Sequence, residues 1–241
     1  MKTLKFAILL FSLISIEYSG ISQTFHKPLQ NYSDEVTNEF NLIDKDRKSK
    51  LDTIAAYFYK DWTKDKETNA LLICTHNSRR SHMSSLWFQT ASYFYGLTGF
   101  YSFSGGTEAT AFNKRAVDAL ERAGFKYSVS DSSTKNIVYT FSIGDRYPEK
   151  KHFSKKFSHK SNPKKDFFAI MVCSDADKSC PFVPGANNRF ALPFKDPRYS
   201  DNTASETAEY DKTSRLIARE MFYLANQIKQ KIVVFQESKK K

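Results

Sequence analysis

Two hydrophobic periods alternate along this chain in a repeating order. Ala70-Leu71-Leu72-Ile73 is a short unbroken apolar run, the pattern of a strand buried on both faces. Ser84 to Tyr95 then reads as a helix. The order returns with Tyr101–Ser104 followed by Phe112–Ala123, then with Phe167–Cys173, and ends in a long helical pattern from Glu206 to Lys231. In that last helix Leu216, Ile217, Phe222, Leu224 and Ile228 are expected to face the core. Strand, loop and helix in alternation predict an α/β fold: an open parallel sheet in a three-layer arrangement, flanked by helices. Ligands of such sheets bind at the carboxyl ends of the strands, so Cys74 and Cys173, which both end strands, are expected at one edge.

The first part of the chain departs from this order. Residues 23–68 predict a helical extension in which Ile43, Leu51, Ile54, Ala55 and Phe58 form a docking face, with Trp62 packed beside them. Residues 1–22 read as a signal peptide. Met1-Lys2-Thr3-Leu4-Lys5 is a basic start, Phe6 to Ile16 an apolar core, and Gly20-Ile21-Ser22 a small-residue cleavage site. That implies an exported protein, periplasmic or extracellular, with an uncleaved anchor as the rival reading. No other stretch is long and apolar enough to span a membrane. The expected organisation is therefore 1–22 signal, 23–68 extension, 69–233 catalytic domain with an insertion at about 142–166, and 234–241 basic tail.

Charge adds little specificity. The net charge of +11 attracts anions without identifying them. The insertion carries Glu149-Lys150-Lys151-His152-Phe153-Ser154-Lys155-Lys156-Phe157 and Lys164-Lys165. No nucleic-acid motif accompanies it, so it is expected to be a solvated loop or hairpin near an anion site, with no nucleic-acid partner. His152 and His159 lie among lysines, which oppose a metal; neither a metal nor a cofactor is expected.

The chemistry concentrates in Cys74-Thr75-His76-Asn77-Ser78-Arg79-Arg80-Ser81, on a strand-to-helix turn. Successive backbone N–H groups at Thr75, His76, Asn77, Ser78 and Arg79, with a helix N-terminus behind them, make an oxyanion cradle. The same field suits Cys74 as a nucleophile, and Ser81 is placed to steady its sulfur. Arg80 can hold two oxygens of a tetrahedral anion with its planar fork. The spacing alone is weak, and a buried structural cysteine with a surface arginine is the competing reading; the strand before and the helix after favour the cradle. Asp196-Pro197 fixes a carboxylate near a turn, where it could protonate a leaving oxygen and later activate water. Cys173 and Cys180 enclose the polar run Ser174–Ser179.

Together these elements resemble the low-molecular-weight tyrosine phosphatases, and within them the thioredoxin-coupled arsenate reductases. The likeness spans about Ala70 to Lys231. Cys74 to Ser81 resembles the family's phosphate-binding loop, Ser104-Gly105-Gly106-Thr107-Glu108 its Ser-Ala-Gly-Thr segment, and Asn113 to Gly124 the helix that follows. Asp196-Pro197 stands where the family keeps its general acid. Cys173 and Cys180 look like the reductase's second and third redox cysteines, which simple phosphatases lack. The resemblance implies an oxyanion substrate, arsenate attacked by Cys74, relay through Cys173 to a Cys173–Cys180 disulfide, and reopening by a thioredoxin-like reductant. The alternatives are a tyrosine phosphatase working through a Cys74 phosphoenzyme and an oxyanion-binding protein without turnover. His76 stands where the reductases usually have Gly, and Arg79 where they have Cys. Ser85 replaces an acidic residue tied to potassium in many reductases, so that ion is not expected. Export would favour a static Cys173–Cys180 disulfide and leave Cys74 as the free thiol.

Overall fold

The computed structural model describes residues 25–239, so the segment read as a signal peptide lies outside it. The elements run α1 (Lys27–Thr37), α2 (Lys45–Asp65), β1 (Thr68–Cys74), α3 (Arg80–Phe94), β2 (Phe100–Gly106), α4 (Lys114–Arg122), β3 (Lys126–Asp131), β4 (Val138–Ser142), β5 (Lys150–His152), β6 (Phe167–Met171), α5 (Ser174–Ser179), β7 (Ala186–Ala191) and α6 (Glu206–Ser238). Four strands form a parallel sheet in the order β2-β1-β6-β7, flanked by helices, and β3-β4-β5 form a small antiparallel sheet. The register sets Cys74 opposite Gly106 and Ile73 opposite Met171, which brings the ends of β1, β2 and β6 to one edge.

The apolar run of β1 is buried from Ala70 to Cys74, as a central parallel strand requires. Phe58 of α2 packs on Phe88 of α3 and Phe168 of β6, with ring centroids 5.7 and 4.7 Å apart. Ile43, Leu51, Ile54, Ala55 and Trp62 are buried with it, so residues 25–68 share one core with the sheet. Asp44 caps α2 by accepting from the Arg47 N–H at 2.8 Å. Arg47 in turn meets the buried Glu220 of α6 at 2.7 Å.

Several elements differ from the sequence reading. Helix α3 starts at Arg80 and buries Ser81, His82, Ser84, Ser85, Gln89, Thr90 and Ser92 along with its apolar residues. A helix buried on every side shows no polar stripe; Thr90 bonds to the Leu86 carbonyl and Ser92 to that of Phe88, while Ser85 bonds across to Ser102 of β2. Helix α6 runs on to Ser238, because Ile228 and Ile232 keep its inner face buried. Leu216, expected in the core, is 36% exposed; the neighbouring Ile217 takes the inward position. Strand β7 is only half-buried, which hid it.

The insertion is the largest correction. His152, Ser154, Lys155 and Asn162 are buried, not solvated. Asn162 donates to the carbonyls of Ser104 and Phe157 at 3.1 Å each, tying the segment to β2. Among the described residues no helix is long and apolar enough to cross a membrane.

Candidate functional site

Cys74 ends β1 with its sulfur 3.0 Å from the Ser81 hydroxyl in the first turn of α3. Between them the chain turns sharply. Asn77 takes the left-handed conformation there, with φ 44°, a position asparagine tolerates better than most side chains. The tight residue is thus Asn77. The carbonyls of the turn point outward to partners. Cys74 accepts from Thr107 N–H at 3.1 Å, Thr75 from Glu108 at 2.8 Å, His76 from the Ser154 hydroxyl at 2.9 Å and Ser78 from Asn113 at 2.9 Å. Among the described residues no protein acceptor takes the amide hydrogens of Thr75 to Ser78. Donors left free on the concave side are what an oxyanion cradle needs.

The Asn77 side chain braces this turn from within. Its Nδ2 donates to Ser81 Oγ at 2.8 Å, and its Oδ1 accepts from the Lys155 N–H, also at 2.8 Å. Gly106 closes the back wall. A Cβ there would lie 2.7 Å from both the Thr75 oxygen and the Asn77 nitrogen, and 2.2 Å from the Glu108 oxygen. Gly106 is therefore a steric requirement of the loop, whereas a Cβ at Gly105 would meet the Phe157 backbone of the insertion at 2.5 Å.

Arg80 opens α3 and is buried, donating from Nη1 to the Phe194 carbonyl at 2.8 Å and from Nη2 to the Asp196 carboxylate. Asp196 also accepts the Arg198 N–H at 3.0 Å, which holds its side chain toward the loop. The two residues expected to bind anion and supply acid thus sit together, beside a small cleft lined by Cys74, Thr75, His76, Ser78, Arg80 and Asp196. Arg79 lines that cleft too, yet its guanidinium is engaged by the Tyr210 hydroxyl at 2.7 Å and Asp201 at 3.1 Å. It ties the loop to α6 and adds no free second cation. His76 lies 3.5 Å from Glu108 at the exposed rim.

Cys173 is buried beside the loop, its sulfur 3.5 Å from the Thr75 hydroxyl. It caps α5, accepting from the Ala176 N–H at 3.3 Å. Cys180 ends the same helix, half-buried, its thiol donating to the Phe182 carbonyl at 3.3 Å. Burial raises the Cys180 pKa, opposed by Arg189. All three cysteines are free thiols. At about 1.5 Å of rise per residue, helix caps seven residues apart stand roughly 10 Å apart along the axis. A disulfide needs Cα atoms within about 7 Å, so α5 must open before Cys173 and Cys180 can bond.

Sequence reasoning missed three contributors. Ser154 and Lys155 come from the insertion, and Tyr210 from α6; only contacts far apart in the chain bring them here. Among the described residues no cluster of His, Cys, Asp or Glu is arranged to hold a metal ion.

No protein-family model matches the chain. Arsenate reductase 2 of Staphylococcus epidermidis is 29% identical over 135 residues, 55% of this chain and 80% of that protein. Among solved structures, a low-molecular-weight protein tyrosine phosphatase from T. tengcongensis aligns at 18% identity with a TM-score of 0.47, covering 66% of this chain and 99% of that one. An arsenate reductase in the phosphate binding state aligns at 14% identity with a TM-score of 0.44, covering 67% and 98%. Over those 135 residues the chain is thus similar in sequence to staphylococcal arsenate reductases.

Proposed function

We propose that this protein reduces arsenate to arsenite with its three thiols. The observation that carries the reading is Cys173, held against the loop by Thr75 and one short helix away from Cys180. A phosphatase needs Cys74, Arg80 and Asp196, but has no use for a second sulfur there.

Arsenate enters the cradle of loop amides and draws Arg80 from Asp196. The Cys74 thiolate attacks arsenic, and a hydroxyl leaves as water with a proton from Asp196. The Cys173 thiolate then attacks the Cys74 sulfur. The sulfur–arsenic bond breaks, its electron pair stays on arsenic, and arsenite departs while a Cys74–Cys173 disulfide forms. As α5 opens, Cys180 attacks Cys173, Cys74 is released and the oxidised pair is Cys173–Cys180. An external dithiol of the thioredoxin type returns both to thiols. Since the N-terminal segment reads as an export signal, that donor would be an exported one.

Purified protein beginning near Gln23, fully reduced and supplied with arsenate and a thioredoxin system, should release arsenite catalytically and accumulate a Cys173–Cys180 bond when the donor is withheld. Cys173→Ser should abolish arsenite release and leave hydrolysis of an aryl phosphate intact; retained arsenite release removes Cys173 from the pathway. Cys74→Ser should stop both reactions by several orders of magnitude while retaining oxyanion binding.

One observation favours phosphate-ester hydrolysis as a second reading. Tyr199, three residues past Asp196, is 70% exposed and offers an aromatic surface, with the Arg198 guanidinium 5.3 Å from its ring centroid. On that reading Asp196→Asn slows esters with poor leaving groups most, and arsenite never appears.

A further inference from the structure

Behind the loop lies a second cavity, of about 330 Å³, with a lining unlike any structural core. Lys150, His152 and Lys155 all face it. Lys155 is 8% exposed and His152 6%. Among the described residues neither Lys150 nor Lys155 has a carboxylate within ion-pair distance: Lys150 donates to the Gln89 amide oxygen at 2.8 Å, and Lys155 lies over the Phe153 ring at 4.9 Å. His152 Nε2 is buried with no hydrogen-bond partner. His82, fully buried, stands 5.8 Å from His152 between ring centroids, and its own Nε2 is likewise unpartnered. The remaining charged groups at this cavity are Lys151 and Glu149, both exposed.

Taking an ammonium group out of water costs several kcal/mol unless an opposite charge repays it. Lys155 is buried and Lys150 half-buried, His152 with its unpartnered Nε2 shares their lining, and among the described residues neither ammonium has a counter-charge within ion-pair distance. We propose that this cavity is a second anion site, built for a small phosphate-class oxyanion held by Lys150, Lys155 and His152 and separate from the Cys74 loop. Ser85, Ser102 and Ser104 line the same space, their hydroxyls engaged by one another, by the Ser85 carbonyl and by His82 Nδ1. The backbone of Lys155 is already part of the loop's support, through its N–H to Asn77 and its carbonyl to the Gly106 N–H at 2.9 Å. An anion on the Lys155 side chain therefore anchors the segment that braces the cradle.

The titration of these groups agrees with the geometry. Burial lowers Lys150 and Lys155 to about 8, and burial with the two lysines lowers His152 to about 3. A bound anion favours the charged lysines, so binding takes up protons near pH 8 and weakens as pH rises past it.

The test is calorimetric titration of the reduced full chain with inorganic phosphate. Wild type should bind two phosphates per chain, and Arg80→Ala, which disables the cradle, should bind one. Lys150→Met/Lys155→Met with Arg80 intact should also bind one, and that retained cradle binding shows the variant folded. Combining all three substitutions should bind none. A single phosphate in wild type that disappears with Arg80→Ala overturns the proposal, as does a second phosphate that survives the double lysine substitution. Should the double variant fail to fold, Lys150→Met in the Arg80→Ala background decides: unchanged phosphate affinity refutes the site, a loss of tenfold or more supports it, and Lys150→Arg should restore binding. None of these readouts depends on arsenate turnover, so the site stands or falls independently of the proposed reaction.

Discussion

Asn77 carries more of the loop than its polar, unreactive side chain suggests. It supplies the left-handed turn, fixes the Ser81 hydroxyl that meets Cys74, and receives the Lys155 N–H. Asn77→Ala removes both side-chain bonds at a buried position and leaves Ser81 and the Lys155 amide short of partners. Two such losses cost about 2–4 kcal/mol of stability, read as a shift in the urea midpoint. Turnover should fall further than stability explains, because the cradle loses its shape; a variant destabilised to this degree but with unchanged kcat would make Asn77 a folding residue only. At this scale the sequence was partly legible. A cysteine six residues before an arginine, with Ser81 following, located the nucleophile and its neighbours. Arg79 was not legible, since the Tyr210 and Asp201 that engage it come from more than 120 residues downstream.

Helix α5 is the element on which a thiol relay depends. It keeps Cys173 and Cys180 at opposite ends, and Arg189 of β7 holds its last turn closed. The guanidinium donates to the carbonyls of Asp177 at 2.6 Å and Cys180 at 3.0 Å, and pairs with the Asp177 carboxylate at 2.5 Å. Arg189→Met should release that turn, so amides of residues 177–180 exchange with solvent faster. The Cys173–Cys180 disulfide should then form several-fold faster in single-turnover experiments with arsenate, with the Cys74 step unchanged. A variant with faster amide exchange and the same disulfide rate would show that opening α5 does not limit the relay. Five polar residues and one alanine between two cysteines show no clear period; that they form a closed helix follows from Arg189, on a half-buried strand that hydrophobic periodicity does not reveal. The buried strands β1 and β6 were readable for the opposite reason: residues enclosed on both faces must be apolar whatever their partners are.

Across the whole molecule, buried basic groups set the response to pH. Burial, together with Lys155 and Lys150, lowers His152 to about 3, and His82 is driven well below its ordinary 6.5 by burial, Lys155 and His152. Both therefore fold as neutral rings. As pH falls below 6.5 the unfolded chain takes up these protons and the folded one does not, for His152 down to about 3, so stability drops by up to about 1.4 kcal/mol per pH unit for each ring. Glu220 acts in the opposite sense. Burial raises it to about 7 against the pull of Arg47, so the folded state gains a proton between 7 and 4.5 that the unfolded state lacks, and stability rises as pH falls through that window. Between 6.5 and 4.5 one carboxyl offsets about one imidazole; below 4.5 both imidazoles act unopposed. Thermal midpoints should consequently fall gently from pH 6.5 to 4.5, where one imidazole is left unopposed, and steeply below 4.5. His152→Gln should remove about half of that steep limb while leaving the midpoint at pH 7.5 close to wild type. An acid limb of full slope in His152→Gln would mean that this ring titrates normally in the fold, and that the insertion is open to water instead of packed behind the loop.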